Sequence, residues 1–146
     1  MDRMGNTFVV AVDGSEYARE ALRHAVRWAK ALGAELVLVN VQPDYDTPNI
    51  RRFVSEKLIS DYQQEMADRV LKPAVDLVQA EDPSIPCTAV MRVGSPGVEI
   101  CNEAKERGAM GIIMGSRGMG PIRGAILGSV SYSVLHNAPC PVTIVS

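Results

Sequence analysis

The strongest constraint on how this chain can fold is an alternation. Five short apolar, β-branched runs are separated by stretches with helical spacing. Residues 7–12 (TFVVAV), 35–41 (ELVLVNV), 87–93 (CTAVMRV), 110–115 (MGIIMG) and 141–145 (PVTIV) each read as a buried strand. Between the first two, Ala18, Ala21, Leu22, Ala25, Ala29 and Leu32 recur at helical spacing. Ser15 is placed to cap the start of that helix, and Gly33 to stop it. A polar loop, QPDYDTPN, leads to a helical stretch from about residue 50 to 80, which Pro73 is expected to kink or break. After the third strand, GSP turns the chain, and Pro96 suits the first turn of a helix that runs to about Arg107 and ends at Gly108. Val130, Val134 and Leu135 mark a last helix. Strands that alternate with helices predict a parallel sheet covered on both faces, joined by right-handed crossovers. No linker or internal repeat interrupts the pattern, so residues 1–146 form one α/β domain.

Composition narrows the function. The chain is 47% hydrophobic and 22% charged, with a net charge of −2, close to the globular average. Both signs are scattered, and without a basic stripe nucleic acid is not an expected partner. Cys87, Cys101 and Cys140 form no CxxC pair, which argues against a disulfide framework or a zinc site and for free thiols in a reducing compartment. The N-terminal residues lack the pattern of a signal peptide, and the apolar runs fall short of the roughly 20 residues that span a bilayer. The expectation is a cytoplasmic domain with no membrane insertion. Trp28 reads as a packing residue, Cys140 as core at a strand entry, and His24 and His136 as surface groups without a nucleophile partner.

Residues 110–130, MGIIMGSRGMGPIRGAILGSV, hold six glycines and two charges, Arg117 and Arg123. The segment leaves a strand and feeds a helix. In open α/β sheets, ligands bind beyond the carboxyl ends of the strands, where strand order reverses. A helix start offers free N–H groups and a partial positive charge that suit phosphate. Glycines clear the way to those groups and permit positive φ, and Ser129 adds a hydroxyl. A plain βα loop is the competing reading. The P-loop pattern is absent, and GSRGMG is not GxGxxG.

GSRGMGPIRGAILGS fits the spacing G-2x-G-9x-G-S/T through Gly115, Gly118, Gly128 and Ser129. It resembles the ATP-binding signature of the universal stress protein family, as do VDGS after the first strand, GSP after the third and NAPCPVTIV at the end. The resemblance implies a Rossmann-like, five-stranded parallel sheet in the order 3-2-1-4-5 with helices on both faces. It puts Asp13 beside the adenosine, opposite the glycine loop, and the Val41 backbone against adenine. Gly115 and Gly118 would approach the ribose and phosphates, and Gly128, Ser129 and the Val130 N–H would cradle the outer phosphates. Ala11, Val12, Met114 and Arg117 complete the implied site, and Gly120, Gly124 and Arg123 fall within its nine-residue span. Ala11 stands where many relatives carry proline, which should change only the pocket wall. Mg2+ or Mn2+ would come with the phosphates, bound partly through water.

The resemblance further implies a homodimer through the C-terminal strand. The segment holds no lysine and no evident general base, so the expected function is a stress-response regulator that holds ATP with at most slow hydrolysis. Two alternatives stay open. One is an ATPase or autophosphorylating phosphotransferase, with a serine such as Ser129 as acceptor; the other is a dimeric scaffold.

Overall fold

The computed structural model describes residues 6–118 and 127–146. The elements in chain order are β1 (Thr7–Ala11), α1 (Glu16–Leu32), β2 (Glu35–Gln42), α2 (Pro48–Arg51), α3 (Glu56–Glu81), β3 (Cys87–Val93), α4 (Pro96–Arg107), β4 (Gly111–Gly115), α5 (Ser129–Asn137) and β5 (Val142–Val145). The strands form one five-stranded sheet in the order β3-β2-β1-β4-β5, and every neighbouring pair is parallel.

The central strands are buried on both faces, as their continuous apolar runs require. Phe8, Val10, Leu36, Leu38 and Ile113 pack under α1 and α3. Val9, Val37, Val39, Ile112 and Met114 pack under α4 and α5. The local signals act as their chemistry demands. Ser15 Oγ accepts from the Ala18 N–H at 3.1 Å and starts α1. Gly33 and Gly108 end α1 and α4 in the left-handed conformation. Leu32, last of the predicted apolar series, is 60% exposed, and Val26 takes a core place on α1 instead.

The predicted helix over 50–80 divides differently. The interruption falls at residues 52–55, where Ser55 Oγ accepts from the Leu58 N–H at 3.1 Å and caps a new helix. From there α3 runs as one helix through Pro73. Proline removes one N–H, the donor for the Arg69 carbonyl. Its ring lies on the exposed side, while Leu71, Ala74 and Val78 keep a continuous buried face against the sheet. Packing outweighs the lost bond. Strand β5 begins at Val142 because Pro141 has no N–H to give, although its carbonyl still accepts from the Ile112 N–H at 3.0 Å.

Among the described residues, no helix is long and apolar enough to cross a membrane. The three cysteines are unpaired. Burial pushes the Cys87, Cys101 and Cys140 thiols up, with Cys101 adding to the effect on Cys140. Trp28 packs at the core's edge, its ring tilted against Phe8 at 6.0 Å and its own surface 39% exposed. His136 is exposed and stacks on Tyr132 of α5.

Candidate functional site

Strand order reverses between β1 and β4. The chain leaving β1 crosses to the α1–α3 face, and the chain leaving β4 reaches α5 on the other. Two adjacent strands whose exits part to opposite faces leave a cleft at their carboxyl ends. A cavity of about 290 Å³ lies there, at the lower end of the range for small-molecule sites. Ala11, Val12, Asp13, Val41, Met114, Gly115, Arg117, Gly118, Gly128, Ser129 and Val130 all line it. The structure thus brings together every residue that the sequence assigned to a site. Arg123, Gly120 and Gly124 lie outside the described residues.

On the β1 side, Asp13 Oδ1 accepts from the Ser15 N–H at 2.9 Å, which fixes the carboxylate at the start of α1. Gly14 between them takes φ +87°, a conformation side chains disfavour. Opposite, a Cβ on Gly118 would sit 2.8 Å from Asp13 Oδ2, so a bare backbone faces the carboxylate across the cleft. Gly115 does something else. A Cβ there would fall 2.6 Å from Tyr17 Cβ and 2.7 Å from its backbone carbon, so this glycine lets α1 lie directly on β4. The expected positive φ is found at neither: among the described residues it occurs at Gly14, Gly33, Gly94 and Gly108. Close approach, not left-handed backbone, explains the cleft glycines.

The far wall is the start of α5. Gly128 is its N-cap residue, and no side-chain cap bond is seen there among the described residues. Ser129 and Val130, the first two residues of α5, line the cavity, and the start of a helix carries unpaired N–H groups and a partial positive charge. This end is anchored from behind. The Gly128 N–H donates to the Ser116 carbonyl at 2.7 Å, and Ser131 Oγ donates to the Gly115 carbonyl at 2.8 Å. Arg117 turns toward α1, where its Nη1 donates to the Tyr17 hydroxyl at 3.2 Å and its guanidinium lies 5.7 Å from that ring's centroid.

On the β2 side, the Val12 N–H donates to the Val39 carbonyl at 2.8 Å. Backbone polar groups alternate sides along a strand, so the N–H and C=O of Val41, two residues on, point the same way, past the end of β1. Val39, Ile100 and Met114 supply an apolar wall. Asn40 and Ser131 also line the cavity, and sequence reasoning missed both. The signal for Asn40 was a lone amide inside the apolar run ELVLVNV. Asp13 is the one carboxylate among the described lining residues. No cluster of three or more His, Cys, Asp or Glu side chains is arranged to hold a metal ion among the described residues.

A cleft of this kind at the switch point of a 3-2-1-4-5 parallel sheet defines a doubly wound α/β protein with its site beyond the strands' carboxyl ends. The particular family follows from comparison with known proteins. The chain belongs to the universal stress protein family, whose model matches residues 4–146. It is similar to universal stress protein YxiE of Bacillus subtilis, with 34% identity over 97% of this chain and 99% of the relative. Its fold is similar to that of universal stress protein UspA from Lactobacillus plantarum, at a TM-score of 0.82 and 26% identity over the whole of both chains. It is also similar to the universal stress protein from Archaeoglobus fulgidus in complex with dAMP, at a TM-score of 0.71 and 26% identity over 98% of this chain and 99% of that one.

Proposed function

We propose that this chain binds an adenine nucleotide, ATP, in the β1–β4 cleft, and acts as a stress-response regulator that holds the nucleotide with at most slow hydrolysis. One observation carries the reading: the signature residues Gly118, Gly128 and Ser129 converge with Asp13 and Val41 on one cavity that meets the start of α5. The dAMP complex of the Archaeoglobus fulgidus relative supports an adenine nucleotide as the ligand class. In this reading the Val41 backbone meets the base, Asp13 the ribose, and the α5 N–H groups the outer phosphates. Mg2+ or Mn2+ would be carried by the phosphates and water, and Asp13 is the one carboxylate among the described lining residues that could assist.

Among the described residues the lining offers backbone amides, hydroxyls, one carboxylate and one guanidinium, a set suited to binding. Efficient phosphoryl transfer uses several charge clamps and metal ligands besides a positioned nucleophile. A cytoplasmic setting fits the three protonated thiols. A homodimer through β5 completes the proposal.

Calorimetry with ATP and AMP, with and without Mg2+, tests the reading. Saturable binding of both is expected, with phosphate release from ATP no faster than about once per minute, far below ordinary enzyme turnover. Binding of neither nucleotide would overturn the site. Rapid release abolished by Asp13→Ala would make the protein an ATPase.

A further inference from the structure

Three buried carboxamides lie together where β1 and β2 end. Asn40, Gln42 and Gln63 are 5%, 9% and 6% exposed. Asn40 Nδ2 donates to the Val12 carbonyl at 2.9 Å, Gln42 Nε2 donates to Asn40 Oδ1 at 2.7 Å, and Gln63 Nε2 of α3 donates to the Pro43 carbonyl at 2.9 Å. The orientation of Asn40 is fixed by the first bond. A backbone carbonyl only accepts, so the NH2 group faces Val12 and the oxygen faces Gln42. The residues before Asn40 on the same face of β2 are Leu36 and Leu38, both in the apolar core. A leucine at position 40 would continue that layer without burying a polar group. The amide has to be judged by what it does to the backbone.

The parallel register pairs Ala11 with Val39, which sets Val12 opposite Asn40. In a ladder continued by one more link, the Val12 N–H would donate to Val39 and the Val12 carbonyl would accept from the Val41 N–H. The first bond forms, at 2.8 Å. At the second position the Val12 carbonyl accepts instead from the Asn40 side chain. Asn40 therefore takes the acceptor that the Val41 N–H would otherwise use. It does so from the residue next to Val41, on the residue next to Asp13.

We propose that Asn40 is a specificity-determining positioning residue: by occupying the Val12 carbonyl it stops the β1–β2 ladder one link short, and so releases the Val41 N–H to act with the Val41 C=O, which lies beyond the end of the ladder, as a donor–acceptor pair for the adenine edge. This rests on the adenine-nucleotide reading above. Adenine offers an acceptor at N1 beside a donor at N6, which complements such a pair. Guanine offers a donor at N1 beside an acceptor at O6, which opposes it. Gln42 serves Asn40 by holding its oxygen, so that the amide cannot turn over.

The test uses the full chain and the variant Asn40→Leu. Because that change orphans the Gln42 amide, the double variant Asn40→Leu/Gln42→Leu keeps the test open should the single one fail to fold. In the protein without nucleotide, hydrogen exchange at the Val41 amide should slow about tenfold in the variant as the ladder closes, with Val9 and Val37 unchanged. The ATP dissociation constant should rise about tenfold, the equivalent of one net hydrogen bond, while that for GTP stays within about twofold. Unchanged Val41 exchange overturns the role of Asn40 whatever the nucleotide does. Slower exchange with an unaltered ATP-to-GTP preference overturns its role in specificity. If the native chain binds neither nucleotide, the adenine reading fails, and the exchange result still decides whether Asn40 controls the Val41 amide.

Discussion

The glycines of the signature look alike in sequence and differ in the structure. Gly115 faces the backbone of Tyr17, which cannot swing aside, whereas Gly118 faces the free end of the Asp13 carboxylate. Their substitutions should therefore separate stability from binding. Gly115→Ala must push α1 off β4, and overpacking of this kind costs about 1–3 kcal/mol. Urea unfolding should show that loss. Gly118→Val has ordinary backbone geometry to adopt and a flexible neighbour to displace, so its unfolding midpoint should stay close to wild type. Its ATP affinity should fall at least tenfold, because the new side chain fills the space between Asp13 and the loop. A Gly118→Val protein that binds ATP normally by calorimetry would take Gly118 out of the site.

At the scale of elements, α4 is fastened to the edge strand β3 by charge. Glu99, Glu103 and Glu106 lie on one face of α4, and Arg92 of β3 reaches all three, at 2.8, 2.7 and 3.0 Å. Glu103 is 4% exposed and also accepts from Arg107 Nε at 2.7 Å. Burial alone would raise its carboxyl, but the bonds to Arg107 and Arg92 outweigh that and hold it below the ordinary 4.5. A carboxylate with a lowered folded value stabilises the fold fully above its unfolded value and loses that contribution as pH falls through the folded one. Wild type should thus lose stability steadily below pH 4.5. Glu103→Gln should start about 2–3 kcal/mol less stable at pH 7 and show a flatter acid dependence, measured by urea unfolding across pH 3–7.

This fastening was not legible beforehand, because it joins Arg92 to residues 7, 11 and 14 positions away on another element. What was legible was local. Ser15, Gly33 and Gly108 act within a turn of their own positions, and the strands announce themselves by continuous β-branched runs. Pro73 does not break α3, because the packing of that helix on the sheet, which no local rule counts, outweighs one missing N–H. The candidate site was legible through the spacing of its glycines. Asn40 was not, since its partner Val12 is 28 residues away.

For the whole molecule, the open question in the geometry is the β5 edge. Strand β5 pairs with β4 on one side only. An edge strand left bare is a template for pairing with another chain. Tyr132 and Leu135 of α5, the helix that packs on β5, are 61% and 46% exposed. A second copy docking there would cover both the edge and these side chains through the same patch on each subunit. The ladder says which residue to change. The Ile112 N–H donates to the Pro141 carbonyl and the Ser116 N–H to the Val145 carbonyl, so odd-numbered positions of β5 face β4. The N–H groups of Val142 and Ile144 consequently face outward. Ile144→Pro deletes an outward donor and leaves the bonds to β4 intact. Ile144→Ala loses comparable side-chain packing and keeps the donor. In sedimentation velocity, wild type and Ile144→Ala should run at twice the 15.8 kDa chain mass, and Ile144→Pro as a monomer. A dimeric Ile144→Pro would move the interface away from β5, and with it the means by which nucleotide at the neighbouring β4 end could bias assembly: Gly115 pairs with Val145, so the cleft and the edge share one strand pair.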